Sequence, residues 1–259
     1  MSVLVEDRAR PGGGLVRTVT IARPDRRNAL DPSHLQDLGS ALVAAAGDPQ
    51  VRALVIAGQG TAFCAGYDLG NPLAAAGAEA PDALVLETMA AVQACQLPTI
   101  ARVQGPAFGA GLHLAIACDL RVASEKASFC LPPAKLGIAY APEGLSRLAA
   151  LVGTSTARRL AFTGEVVSAS RALALRLVDE LTGTDDLDAR VEALANALAD
   201  AAPLAVRAMK RSFNALEAAL ASEARALAEQ DRLACYGSED AREGLRAFAE
   251  KRAPVFLGR

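Results

Sequence analysis

Two short glycine-rich stretches constrain this chain more than any other feature in it. They are Ala62-Phe63-Cys64-Ala65-Gly66-Tyr67-Asp68-Leu69 and Gly105-Pro106-Ala107-Phe108-Gly109-Ala110-Gly111-Leu112-His113-Leu114. Each follows a β-prone apolar run, residues 51–57 and 99–103, and each leads towards a helix-compatible segment. Glycine permits tight turns and close backbone approach, so two such turns can aim N–H groups into one shared space. A pair of backbone N–H groups is what a developing thioester or ester oxyanion requires. Either stretch alone is a weak signal; the paired wording is the specific part.

Composition narrows the classes. A chain of 259 residues can bury a sizeable core in one large domain, or in one domain with an appendage. With 52% hydrophobic residues, 4% aromatics and no Trp, that core must be built from Ala, Leu and Val. The formal net charge of −2 and the lack of a basic stretch interleaved with aromatics argue against nucleic acid as a partner. Cys64, Cys95, Cys118, Cys130 and Cys235 are odd in number and show no C-x-x-C spacing, which reads as reduced thiols in a cytoplasmic protein. The N-terminus has no basic-then-apolar signal pattern. The charge-free stretch 103–118 contains Gly and Pro and falls short of the roughly 20 residues needed to cross a bilayer. The expectation is a soluble protein with no membrane partner.

Along the chain, Gly12-Gly13-Gly14 reads as the turn of a hairpin between residues 2–6 and 15–21. Asp31-Pro32 opens a helix as N-cap and first helical residue, continued by Leu35, Leu38, Leu42 and Ala45. Strand, turn and helix recur through 51–58, 99–105 and 119–124, the alternation of an α/β architecture. From Ala141 onwards the chain reads as almost wholly helical, over 168–177, 186–201 and 203–236. Ser238 then caps a last helix ending before Pro254. A composition shift near 195–203 suggests an α/β core over 1–197 and a helical region over 198–259. Residues 73–83 are Ala-rich and read as a mobile segment.

These features, in this order, resemble the crotonase superfamily, also called the enoyl-CoA hydratase/isomerase family. Arg23-Pro-x-x-Arg27-Asn28-Ala29-Leu30 looks like its early CoA-contacting loop. The two glycine turns follow, then Cys118-Asp119-Leu120-Arg121-Val122-Ala123, Phe129 and Leu136-Gly137. Glu243-Gly244-x-x-Ala247-Phe248-x-x-Lys251-Arg252-x-Pro254-x-Phe256 closes the series. The resemblance implies repeated ββα units forming two roughly perpendicular sheets, with a helical C-terminal region that assembles homotrimers, usually paired into hexamers. It implies an acyl-CoA thioester as substrate, with no cofactor beyond the coenzyme A that the substrate carries. It assigns the oxyanion N–H groups to Tyr67 and Ala110. Contact with CoA falls to Arg26, Arg27, Ala29, Ala65, Asp68, Leu69, Phe248 and Lys251, the last two in the C-terminal part that the resemblance places towards a neighbouring subunit's site. Phe248 reads either as core or as an adenine-packing face. Five bases against two acids over 242–259 suit the anionic nucleotide end of CoA.

The acid–base positions depart from the hydratase pattern. His113 stands where hydratases carry their first catalytic glutamate and Pro133 where they carry the second. Hydration needs one group to activate water and usually another to deliver the α-proton, and proline does neither. Tyr140-Ala141-Pro142-Glu143-Gly144 is instead similar to the segment at which Δ3,Δ2-enoyl-CoA isomerases of the peroxisomal type hold a single catalytic base. Glu143 is therefore the candidate base, against the plainer reading of a first-turn acid paired with Arg147. His113 reads as structural or catalytic. Tyr140 lies where methylmalonyl-CoA-type decarboxylases carry a tyrosine, although those enzymes have histidine at the position of Tyr67. Cys64 reads as a packed thiol. The favoured activity is Δ3,Δ2-enoyl-CoA isomerisation; a hydratase-like or decarboxylating enzyme and a non-catalytic acyl-CoA-binding protein are the alternatives.

Overall fold

The computed structural model describes residues 2–69, 82–221 and 225–259. Its strands are β1 (Val3–Ala9), β2 (Leu15–Ile21), β3 (Val51–Gly58), β4 (Thr99–Val103), β5 (Pro106–Phe108), β6 (Leu120–Ser124), β7 (Ser128–Cys130), β8 (Val167–Ser168) and β9 (Glu180–Thr182). Helices α1 (Pro32–Gly47), α2 (Ala83–Ala94), α3 (Ala110–Ala117), α4 (Pro142–Val152) and α5 (Thr154–Thr163) are followed by α6 (Ala169–Ala174), α7 (Leu187–Asp200), α8 (Pro203–Ala221), α9 (Arg225–Gly237) and α10 (Glu239–Ala249).

The larger sheet runs β1-β2-β3-β4-β6-β9. Its first pair is an antiparallel hairpin turned through Gly13 and Gly14, both at positive φ. Every later pair is parallel, as crossovers through helices require. The smaller sheet runs β5-β7-β8. Alternation along β3 splits its side chains between two cores. Leu54 and Ile56 join the cluster under α1, α2 and α3, whereas Ala53 and Val55 join a second one under α7 with Val191, Ala195 and Ala199. Both faces of the sheet are thus buried, and its C-terminal strand ends deliver the two glycine turns to one side.

Local chemistry sets the helix starts as expected. The Asp31 carboxylate accepts from the Ser33 and His34 N–H groups with Pro32 in the first turn, and the Ser238 hydroxyl accepts from the Ala241 N–H. The region beyond Ala141 is less uniformly helical than its composition suggests. The two-residue β8 pairs with β7 and the three-residue β9 extends the large sheet, because such short strands depend on their partners rather than on their own residues. The pattern over 203–236 is carried by two helices, α8 and α9. The boundary at 197/198 falls inside α7, and α8 packs back on the core through buried Lys210, whose Nζ donates to the Leu97 carbonyl (2.9 Å) and meets Asp119 Oδ2 at 2.7 Å. Most of the Ala-rich segment 73–83 lies outside the described residues. No helix among the described residues is long and apolar enough to cross a membrane.

Candidate active site

The two glycine turns lie directly against each other. Cys64 and Ala107 form a parallel bridge, with the Phe63 and Cys64 N–H groups donating to the Pro106 carbonyl (3.1 Å each) and the Phe108 N–H to the Cys64 carbonyl (3.0 Å). Two glycines make this approach possible. A Cβ on Gly111 would overlap the Cys64 carbonyl, and one on Gly66, itself at φ 104°, would lie 2.8 Å from the Phe108 carbonyl oxygen and 3.5 Å from the Ala110 nitrogen. The Tyr67 N–H follows Gly66 directly and the Ala110 N–H opens α3. Neither donates to a backbone acceptor among the described residues. As first-turn N–H groups without intrahelical acceptors, donors like that of Ala110 are available to an anion.

One turn further along α3, His113 is buried, its ring centroid 5.3 Å from that of Tyr140. Gly144 on α4 makes room for both rings, since a Cβ there would overlap Tyr140 Cε1 and meet His113 Cε1 at 3.0 Å. Burial, and then the nearby Arg147 charge, lower the His113 pKa to about 4, so the imidazole is neutral at pH 7. Burial, reinforced by Asp82 and Tyr236, holds the Tyr140 phenol protonated well above its usual range. The Tyr140 hydroxyl is shielded from solvent with no hydrogen-bond partner among the described residues.

Glu143 stands in the first turn of α4 and, with His113, lines a cavity of about 730 Å³ between α2, α4 and α8. Tyr67 and Ala110 do not line it; His113 connects it to the start of α3. Of the two other carboxylates lining the cavity, Glu217 pairs with Arg147 (2.5 Å) and Glu87 is exposed. Arg147 also donates to the Ile116 and Cys118 carbonyls at the end of α3. Pro133 is buried at the start of a 3-10 turn over Pro133–Leu136. The preceding Pro132 has its Cδ 3.9 Å from where a Cβ on Gly109 would sit. Cys64 is fully buried, and burial pushes its thiol up to about 12, as a packed thiol requires.

The residues expected to meet CoA are divided. Arg26 and Arg27 are exposed on a loop whose left-handed Arg27 and Asn28 present the Arg27 carbonyl to the Ala65 N–H at 3.0 Å. Ala29 and Leu69 are partly buried, and the Ala29 carbonyl accepts from Arg23 Nη1. Asp68 is ion-paired with Arg23 at 2.8 Å, which gives it a part in holding the loop. Phe248 is 59% exposed, which removes its reading as core. Lys251 is exposed and makes no ion pair among the described residues. Among the described residues, no hydrogen bond or ion pair joins either to Arg26, Arg27 or the catalytic candidates. The basic surplus of the C-terminal segment is smaller than its counts suggest. Arg246 and Arg252 pair with Glu243, holding that carboxyl well below its usual range, and Arg259 pairs with Glu239.

Several contacts that shape this site join residues far apart in the chain. The fully buried Asn28 side chain donates to the Gln59 and Ala62 carbonyls, and Gln104 Nε2 donates to the Gly58 and Ala62 carbonyls, pinning the first turn from two sides. Arg232 of α9, 1% exposed, holds both oxygens of Asp82 (2.8 and 2.9 Å), which also accepts from the Tyr236 hydroxyl at 3.1 Å.

Comparison with known proteins gives the chain its family. Residues 13–259 match the profile of the enoyl-CoA hydratase/isomerase family. The chain is 38% identical over 246 residues to a probable enoyl-CoA hydratase of Mycobacterium tuberculosis, covering 94% of this chain and 96% of the relative. It is 37% identical over 255 residues to a carnitinyl-CoA dehydratase of Salmonella typhi, covering 95% and 96%. A solved methylmalonyl-CoA decarboxylase in complex with 2-nitronate-propionyl-CoA superposes with a TM-score of 0.91 at 26% identity, covering 100% of this chain and 99% of that one. The chain belongs to the enoyl-CoA hydratase/isomerase family of the crotonase superfamily, and its two-sheet α/β architecture with helical C-terminal region is the crotonase fold.

Proposed function

We propose that this protein is an acyl-CoA enzyme that stabilises a thioester enolate between the Tyr67 and Ala110 N–H groups and isomerises a 3-enoyl-CoA to a 2-enoyl-CoA with Glu143 as base. The Glu143 carboxylate takes the C2 proton. The C2 electron pair moves into the C1–C2 bond and the thioester C=O electrons move to oxygen. On collapse the C=O is restored, the C1–C2 π electrons form the C2–C3 double bond, and the C3–C4 π electrons take the proton at C4, returned by the same carboxyl. The transient negative charge resides on the thioester oxygen, where two preorganised N–H donors are most valuable. The substrate's own coenzyme A is the only cofactor this sequence of events asks for.

The observation that carries this reading is the setting of Glu143. It shares a cavity with His113, one turn along α3 from the Ala110 N–H, while Pro133 offers no second acid–base group. His113, neutral at pH 7 with a pKa lowered to about 4 by burial, packs its ring beside that of Tyr140 and takes a supporting part. Arg26, Arg27, Ala29, Ala65, Asp68 and Leu69 form the CoA side of the site, with Phe248 and Lys251 serving a neighbouring copy. The relatives' names point to hydration and dehydration, which place a heavier demand on a second proton carrier.

A second reading, decarboxylation of a malonyl-type thioester, is favoured by the buried Tyr140 hydroxyl that has no partner among the described residues and by the likeness to the decarboxylase structure. A product-resolved assay over 3-enoyl-, 2-enoyl- and malonyl-type CoA thioesters separates the two. Double-bond migration should dominate, and Glu143→Gln should lower it by about 10²–10⁴-fold with little change in affinity. Loss of CO₂ from the malonyl-type substrate, abolished by Tyr140→Phe, would establish the second reading instead. Absence of deuterium exchange at C2 would leave a non-catalytic acyl-CoA binder.

A further inference from the structure

The cavity beside Glu143 is a groove with direction and length. Its floor on α2 runs from Leu86 through Met89 and Ala90 to Gln93 and Ala94, and α4 contributes Ser146, Ala149 and Ala150 opposite. Leu86 to Ala94 is eight residue steps, so the groove extends about 12 Å at the rise of an α-helix. The end near Glu143 and His113 is the reacting end. The walls are wide because four lining positions, 90, 94, 149 and 150, are alanine. The charged wall is internally compensated, Arg147 being held by Glu217 and by two carbonyls, so it presents no unpaired charge from that pair to an apolar guest.

We propose that this groove takes the acyl chain and that the preferred substrates are medium-chain CoA thioesters. An extended chain advances about 1.2 Å per bond, so the groove accommodates about ten bonds counted from C2, an acyl group of up to roughly twelve carbons. At about 730 Å³ the space is that of a drug-sized ligand, far more than a four-carbon acyl group fills. The inference rests on the acyl-CoA reading of the site but not on isomerisation being its reaction.

The test is equilibrium binding of saturated acyl-CoA thioesters, from acetyl- to dodecanoyl-CoA, by titration calorimetry. Each buried methylene is worth up to about four-fold in affinity, and a half-open groove about two-fold. Decanoyl-CoA should therefore bind at least about 30-fold more tightly than butyryl-CoA. Ala90→Phe and Ala94→Phe, at exposed positions where the larger ring does not threaten folding, should flatten that dependence, with acetyl-CoA reporting the CoA half of the site. A flat chain-length profile in the unmodified protein overturns the groove assignment, as does a steep profile unchanged in both variants. Rising affinity with no double-bond migration would support the groove and sink the isomerase reading, whereas no binding at any length would sink both.

Discussion

At the scale of single residues, the site is a set of protonation states held by burial. His113 is neutral because its surroundings lack solvent and Arg147 adds a like charge to the imidazolium. This has a consequence for stability. The folded pKa of about 4 lies below the ordinary value of about 6.5, so the unfolded chain takes up the proton first as pH falls. The stabilisation is complete above about pH 6.5 and is lost progressively down to pH 4, by about 3 kcal/mol at most. Urea midpoints at pH 7 and pH 4.5 should show a smaller acid decline in His113→Gln than in the unmodified protein; equal declines would refute the assignment. Gly144 is the steric counterpart. Gly144→Ala places a methyl group against the Tyr140 and His113 rings, and should cost about 1–3 kcal/mol by overpacking, read as a lower urea midpoint together with reduced turnover.

At the scale of elements, the function depends on the seam between two turns. Gly111→Ala would drive a Cβ into the Cys64 carbonyl, and since that atom belongs to the opposing turn, the backbone itself must move. If Tyr67 and Ala110 supply the oxyanion donors as proposed, their N–H groups would no longer be held together, and turnover should fall by about 10²–10³-fold, the usual effect of losing one oxyanion donor. Unchanged turnover in a folded variant would count against this role. The same seam explains what was legible in the sequence. Gly66 and Gly111 are readable because only a missing side chain permits the approach. Leu136-Gly137 and Gly244 are readable for the same reason: a Cβ on either glycine would overlap the other segment's backbone, as α10 docks on the Pro133–Leu136 turn. The apolar run of β3 and the caps at Asp31 and Ser238 were equally plain. The partner of Arg147 was not, since the sequence offered Glu143 and the structure pairs it with Glu217, 70 residues away, nor was that of Arg232, whose partner Asp82 lies 150 residues away. A buried arginine resembles a solvated one until its acceptors are known, and the short β8 and β9 carry too few residues to show a period.

At the scale of the whole molecule, the described chain leaves an apolar helix face open. Met209, Phe213 and Leu216 of α8 are 55%, 66% and 64% exposed, and their i, i+4, i+7 spacing puts them on one side of the helix. The same helix is anchored to the core by Lys210 and by Glu217, which pairs with Arg147 in the wall of the groove. A face that covers α8 therefore lies one step from the site. Each of these side chains is worth up to about 1.5–3 kcal/mol when removed from water, a favourable share towards the roughly 4–15 kcal/mol that association costs. Sedimentation velocity at micromolar concentration should give a trimer or a hexamer built from two trimers. Phe213→Glu, which puts a charge in the centre of the stripe without touching the core, should shift the population towards monomer and, if Phe248 and Lys251 serve a neighbouring copy as proposed, weaken acyl-CoA turnover with it. A stable monomer in the unmodified protein, or an unchanged assembly in Phe213→Glu, would show that α8 presents this face for another purpose.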